Sequence, residues 1–125
     1  MKNTIALKNS NEFQRVLKKG EWFPGDLMSV YVLKNTSSLN YLGIAVGKKF
    51  SKSSVKRNRA KRLIKEAYRL NEELLRKGYL IVIVLKNNVT YDLLTFKNIY
   101  ADFIKSFKKA NILMNGEESN VWMDC

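Results

Sequence analysis

The sequence contains no histidine, and this absence removes two common kinds of site. Neither histidine ligation of a metal nor histidine acid–base catalysis is available to the chain. Cysteine is almost as rare: the single Cys125 cannot form an internal disulfide, which favours a reducing compartment. No apolar run reaches the roughly 18 residues of a membrane span, and residues 1–13 lack the apolar centre of a signal peptide. We therefore expect a soluble, cytoplasmic protein.

Acidic residues are also few, and their scarcity leaves the chain strongly positive. Its 125 residues include 23 Lys and Arg against 11 Asp and Glu, which gives a net charge of +12. Such an excess points to a polyanionic partner, with nucleic acid favoured over an anionic membrane. The hydrophobic share of 46% is large enough for a buried core, so a wholly disordered chain is not expected.

Proline occurs once, at Pro24, and no Gly-, Pro- or Ser-rich linker divides the chain. A single domain is expected, of the α+β class, with helices packed against a small mixed sheet. The run EWFPGD predicts a turn and allows an extra strand ahead of the first predicted one. The apolar run YLIVIVL favours a central strand that is buried on both faces. In chain order, the predicted elements are a helix at 9–19, strands at 27–33 and 41–47, a helix at 55–77, a strand at 79–85 and a helix at 92–113.

The most unusual segment is VKRNRAKRLIKEAYR, residues 55–69. From Lys48 to Arg69 the chain carries ten basic residues and one acid, so a net +9 of the total +12 lies in one loop and the following helix. Cations in a first helical turn oppose the helix dipole, and most of these have no helical partner. The segment therefore indicates a surface for phosphates, which Arg grips bidentately and Lys meets as a point charge. Asn58 adds a donor and an acceptor for a ribose 2′-hydroxyl or a base edge.

A helical projection divides this segment into stripes. One stripe has the spacing of a buried face: Ala60, Leu63, Ile64, Ala67, Leu70 and Leu74. A second stripe is mostly cationic: Arg57, Lys61, Lys65 and Tyr68. Glu66 is expected to pair with Arg62, and the C-terminal half is expected to hold the pairs Glu72–Arg76 and Glu73–Lys77.

Residues 43–69, GIAVGKKFSKSSVKRNRAKRLIKEAYR, resemble the signature of the bacterial ribonuclease P protein subunit. That signature has an Arg-Asn-Arg core, a Lys-Arg pair and a basic-Glu pair, here Arg57-Asn58-Arg59, Lys61-Arg62 and Lys65-Glu66. Upstream, Gly43 to Lys49 match the family's Gly-x-x-Val-x-Lys-Lys strand end. The helix NEFQRVLKKG, the strand YLIVIVL and the Phe-rich last helix follow in the family's order, so the resemblance covers roughly residues 9–110.

The resemblance implies an αβββαβα two-layer sandwich with a left-handed βαβ crossover, formed by residues 1–114. The polar, acidic tail at 115–125 is not expected to fold. The resemblance further implies a protein that binds the catalytic RNA of ribonuclease P and helps that RNA to remove the 5′ leader from precursor tRNA. The RNA, together with Mg²⁺ bound mainly by RNA and substrate, carries out the cleavage. No catalytic residue and no metal site are therefore expected in the protein.

Two sets of site residues follow from the resemblance. The set expected to contact the catalytic RNA is Lys48, Lys49, Lys52, Arg57, Asn58, Arg59, Arg62 and Arg69. The set expected to bind the single-stranded leader, in a cleft between the sheet and the first helix, is Phe13, Leu17, Tyr31, Arg57, Lys61 and Lys65. Aromatic rings stack on bases while cations follow phosphates, which suits the second set. Plain core packing is the competing interpretation for Phe13, Leu17 and Tyr31.

Three other classes of function compete with this one. A non-enzymatic RNA-binding module, such as a ribosomal protein with a similar α+β fold, is the main alternative. A DNA-binding protein is less favoured, because a helix that reads the major groove needs varied polar side chains. A self-sufficient nuclease needs carboxylates spaced for two metal ions, and Asp26, Asp92 and Asp102 show no such spacing.

Overall fold

The computed structural model of the chain describes residues 3–114. The tail expected at 115–125, with Trp122 and Cys125, lies outside the described residues. Helix α1 spans Ser10–Lys19, close to the predicted 9–19. It begins there because the Asn9 side chain accepts hydrogen bonds from the first free backbone N–H groups of the helix. The N–H of Gly20 closes the last turn, and the chain enters a strand directly afterwards.

One mixed sheet has five strands: β1 Thr4–Ala6, β2 Glu21–Pro24, β3 Met28–Lys34, β4 Asn40–Ala45 and β5 Tyr79–Leu85. Their order is β1-β4-β5-β3-β2, with parallel pairing of β1 with β4 and of β4 with β5, and antiparallel pairing at the other two contacts. The strand allowed in EWFPGD is confirmed as β2, and β5 takes the predicted central position. Strand β1 was not predicted from the sequence.

Helix α2 spans Ser54–Asn71, so the prediction that it continues to Lys77 is wrong. Ser53 caps it, accepting a hydrogen bond from the N–H of Lys56. After Asn71 the chain makes a 3₁₀ turn, and the extended residues beyond it pair with the segment that follows the last helix, where the N–H of Arg76 bonds to the carbonyl of Ile112. These tertiary hydrogen bonds replace the helical ones and end the helix.

Three ion pairs and one packing position predicted on this helix are wrong as a result. Residues 72–77 do not form the helix that the pairs Glu72–Arg76 and Glu73–Lys77 require. Glu72 is buried and accepts from the N–H of Asn3, while Arg76 Nε donates to the carbonyl of Asn111. Glu66 pairs with Arg69 rather than with Arg62. Leu70 is 52% exposed, because Tyr68 and Asn71 occupy the buried face near the helix end.

Helix α3 spans Phe96–Lys109 and is shorter than the predicted 92–113. Thr95 caps it, and a 3₁₀ turn at Tyr91–Leu93 precedes it. Its apolar face is turned to the core, where Ile99, Phe103 and Phe107 are fully buried.

The two faces of the sheet carry different helices. Ile81, Ile83 and Leu85 of β5 pack into the core shared with α2 and α3, whereas Leu80 and Val82 pack beneath α1. The sheet with α2 and α3 forms the two expected layers, and α1 lies on the other face. Parallel strands β4 and β5 are joined through α2, which is the expected βαβ crossover. The α+β class and the order αβββαβα are confirmed, with β1 added in front.

Candidate RNA-binding surface

The basic loop and the first half of α2 form one continuous surface. Lys48, Lys49 and Lys52 are exposed on the loop, and Asn58, Lys61, Arg62 and Lys65 are exposed on the helix. Six exposed cations of this surface form no ion pair within residues 3–114. These cations are Lys48, Lys49, Lys52, Lys61, Arg62 and Lys65. The surface is therefore positive and lacks neutralising carboxylates in the part of the chain that the structure describes.

The two arginines of the Arg-Asn-Arg core have structural partners as well as charge. Arg57 is half-buried and donates from Nη1 to the carbonyl oxygen of Ser51 at 2.9 Å, which ties the helix to the basic loop. Arg59 donates from Nη1 to the carbonyl oxygen of Leu94 at 2.7 Å, and its Cζ lies 5.6 Å from the centre of the Tyr91 ring. Asn58 between them is exposed. The two arginines thus hold the basic loop and the turn before α3 against α2, and the side chain of Asn58 stays exposed to a ligand.

Tyr91 was not singled out in the sequence. The Nζ of Lys56 lies 4.8 Å from the centre of its ring, so two cations from the first turns of α2 rest on one aromatic side chain. Nothing in the local pattern around residue 91 indicates this contact, because it depends on the 3₁₀ turn before α3 lying beside the start of α2.

Arg69 differs from the other cations of the surface. Its guanidinium forms an exposed pair with Glu66, one helical turn earlier. The hydrogen bond from Arg69 lowers the pKa of the Glu66 carboxyl, and the same bond raises the pKa of Arg69. Arg62, which was expected to be paired, has its full charge available.

The three apolar members of the leader set lie together beneath and beside α1. Phe13, Leu17 and Tyr31 pack as half-buried side chains around the fully or nearly buried Val16, Leu80 and Val82. Phe13 lies flat enough over β4 that a Cβ on Gly43 would come within 2.7 Å of its Cε2 atom. Each side chain therefore packs against the cluster and keeps exposed surface at its edge, and leader binding by the three residues stays a prediction.

The cationic members of the leader set lie on α2, which packs on the opposite face of the sheet. Tyr68 ties α2 to the edge strand β1. Its side chain is fully buried, and its Oη lies 2.8 Å from the Oγ1 of Thr4. Lys61 and Lys65 lie on the same helical stripe as Tyr68, and both are exposed. Strand β1 pairs with β4 only up to Leu42, so among residues 3–114 no strand pairs with residues 43–45 on that side.

Trp22 is a second residue that the sequence did not single out. It lies on β2 directly opposite Tyr31 and is 59% exposed. The alternation of side chains in EWFP, with Phe23 in the core and Trp22 outward, is the signal that could have found it.

The carboxylates offer no metal centre within residues 3–114, where no group of three Asp, Glu or Cys side chains is close enough to hold an ion. Asp102 instead accepts hydrogen bonds from the N–H groups of Asp26, Leu27 and Met28 and fixes the turn between β2 and β3. Asp92 is exposed. None of the helices in the described part of the chain is both long and apolar enough to cross a membrane.

Comparison with known proteins agrees with this architecture. The model of the ribonuclease P family matches residues 1–111. A ribonuclease P protein component from Clostridium botulinum (strain Langeland) is 39% identical over 107 residues, covering 85% of this chain and 94% of that protein. A ribonuclease P protein component from Clostridioides difficile (strain 630) is 40% identical over 110 residues, covering 87% of this chain and 94% of that protein. The solved structure of the Staphylococcus aureus RNase P protein superimposes with a TM-score of 0.77 at 27% identity, covering 86% of this chain and 96% of that one. The chain belongs to the ribonuclease P protein family, whose members are accessory subunits of the holoenzyme that matures the 5′ end of tRNA.

Proposed function

We propose that the chain binds two RNA segments on two surfaces. The basic loop and the side of α2 that carries Asn58 and Arg62 contact the catalytic RNA, and the α1 face together with Lys61 and Lys65 holds the single-stranded leader of precursor tRNA. The observation that carries the first assignment is the group of exposed cations without a carboxylate partner in the described residues. Phosphates supply the missing negative charge, and the counterions they release favour binding at low salt.

The catalytic-RNA surface is preorganised by contacts within the protein. Arg57 holds the loop through Ser51, and Arg59 holds the turn before α3 through Leu94. These bonds reduce the freedom that the lysines of the loop lose on binding, which lowers the entropic cost of association. Asn58, exposed between the two arginines, supplies the donor and acceptor for a ribose 2′-hydroxyl.

The leader surface combines aromatic edges with cations. Phe13 and Tyr31 present part of their rings at the margin of the cluster beneath α1. Bases of single-stranded RNA stack on such rings without strong sequence preference. Lys61 and Lys65, exposed on α2, follow the leader phosphates. Leu17 contributes apolar contact but has no ring to stack.

Mg²⁺ is proposed to be bound mainly by the RNA subunit and the substrate, since the described carboxylates do not cluster. The protein contributes fixed positive charge between two polyanions, and this charge lowers the concentration of Mg²⁺ that they need to associate. The single cysteine and the tRNA substrate make the cytoplasm the proposed compartment. Neither DNA nor a membrane is proposed as a partner.

Cleavage of a long-leader precursor tRNA by a bacterial ribonuclease P RNA, at an Mg²⁺ concentration too low for the RNA alone, tests this assignment. Addition of the protein is expected to restore cleavage. The variant Lys48→Ala/Lys49→Ala/Lys52→Ala should lose most of that effect. The matched variant Lys97→Ala/Lys108→Ala/Lys109→Ala removes the same charge from α3 and should keep it. No gain with the wild-type protein, or equal loss in both variants, would contradict the proposal.

A further inference from the structure

Trp22 lies on the same face of the sheet as the proposed leader site. Its antiparallel partner is Tyr31, and directly opposed residues of neighbouring strands point to the same side. Tyr31 belongs to the apolar cluster beneath α1. With 59% of its surface exposed, the indole is covered neither by α1 nor by a neighbouring strand, because β2 is the outer strand at this side of the sheet.

The strand register arranges four residues in a row across this face. Gly43 pairs with Val82, Val82 with Tyr31, and Tyr31 with Trp22. Adjacent strands lie about 4.8 Å apart, so the row runs perpendicular to the strands, with Val82 buried and surface left exposed at Tyr31 and Trp22. At one end the ring of Phe13 lies over Gly43, and at the other end Trp22 is open to solvent.

We infer that Trp22 stacks on a leader base beyond those held by Phe13 and Tyr31, an inference that rests on the proposed leader site. Within residues 3–114 the indole stacks on no other aromatic side chain, so its faces are available to a base. Lys18 and Lys19 are exposed in the last turn of α1 and connect through Gly20 to β2. These cations, four and three positions before Trp22 in the chain, supply positive charge for flanking phosphates, which favours single-stranded RNA over an apolar protein surface.

Precursor tRNAs that differ only in leader length test this inference with the reconstituted holoenzyme. Trp22→Ala is expected to raise Kd about fivefold or more for a long leader, the loss that follows from removing one stacked base. It should leave Kd unchanged for a leader too short to reach β2, and Trp22→Phe should recover most of the affinity. Because the side chain is exposed, the urea midpoint of Trp22→Ala should match that of the wild type.

The alternative outcomes separate the two hypotheses. If Trp22→Ala binds every leader like the wild type while the wild type still activates the RNA, the role of Trp22 is refuted and the proposed function stands. If the wild type fails to activate the RNA, both are refuted. A Trp122→Phe protein leaves Trp22 as the single tryptophan, and its fluorescence should be quenched by a single-stranded RNA oligonucleotide. A change with anionic vesicles or with protein concentration instead would assign the ring to a membrane or to a second copy.

Discussion

Glu66 pairs with Arg69 on the next turn of α2, and this choice leaves Arg62 without a carboxylate partner among residues 3–114. Both arginines are exposed, Arg62 near the middle of α2 and Arg69 in its last turn, and both were expected to contact the catalytic RNA. Only Arg62 offers a charge that no neighbouring side chain already balances. The available positive charge is therefore greater at Arg62 than at Arg69, a difference that the sequence alone does not show.

The two arginines make a matched pair for RNA-binding measurements. Arg62→Ala is expected to weaken binding to the catalytic RNA and to reduce the slope of log Kd against log salt by about one unit. Arg69→Ala should have a smaller effect, because Glu66 already occupies the Arg69 guanidinium and keeps it from a phosphate, and Glu66→Gln should tighten binding by releasing that guanidinium. Equal effects of the two alanine variants would show that the ion pair does not persist in the complex.

Gly43 is required by the ring that lies over it. A Cβ at this position would come within 2.7 Å of Phe13 Cε2, so Gly43→Ala is expected to lower the free energy of unfolding by about 1–3 kcal/mol. Phe13→Leu in the same chain should recover part of that loss by opening space. Gly47→Ala is the control, since the nearest atom to its Cβ would be 3.6 Å away and its stability should change little. Urea unfolding measures all three, and a neutral Gly43→Ala would show that Phe13 is not held in this position.

Asp102 is a structural carboxylate whose role is independent of catalysis. It is buried and accepts three backbone hydrogen bonds from the turn before β3. Asp102→Ala leaves these donors with little access to water and should cost about 3 kcal/mol or more of unfolding free energy. Asp92→Ala, at an exposed position, should cost less than about 0.5 kcal/mol. Similar losses in the two variants would contradict this assignment.

Tyr68 makes the stability of the fold sensitive to alkaline pH. Burial raises the pKa of its hydroxyl above the usual value near 10, against the opposing hydrogen bonds with Thr4 and Asn40. The unfolded chain therefore loses this proton at a lower pH than the folded chain does. The contribution to stability is complete below pH 10 and is lost as the pH rises from there through the folded pKa.

Tyr68→Phe tests this linkage. The variant should lose about 1 kcal/mol at pH 7 with the hydrogen bond to Thr4, but its urea midpoint should fall less steeply than that of the wild type above pH 10. Tyr91→Phe, at an exposed ring, should follow the wild-type pH profile. Parallel profiles for the wild type and Tyr68→Phe would remove Tyr68 as the cause.

Much of the fold could be predicted from the sequence because its signals are local. The caps Asn9 and Ser53 mark where α1 and α2 begin, and the uniform apolar run of β5 marks a strand covered on both sides. The end of α2 could not be predicted, since residues 72–77 have helical composition but bond instead to residues 111–114. Strand β1 is three residues long, and its partner β4 lies more than thirty positions away.

The candidate site also has one part that the sequence predicts and another that depends on the tertiary fold. The density of cations at 48–69 predicts a phosphate-binding surface without any knowledge of the fold. The positions of Tyr68 and Trp22 depend on which face each residue turns to, and that is set by register with distant strands. Glu66 can reach Arg62, four positions before it, or Arg69, three positions after it, and spacing alone does not decide between them.

The central claim is that the two RNA segments occupy two different surfaces, and site-specific crosslinking tests it most directly. In a Cys125→Ser chain, single cysteines introduced as Leu17→Cys and Asn58→Cys carry a short photoreactive probe within the assembled holoenzyme and precursor tRNA. The probe at position 17 is expected to crosslink to the 5′ leader, and the probe at position 58 to the catalytic RNA. Crosslinking of position 17 to the catalytic RNA alone, or of position 58 to the leader alone, would contradict the account.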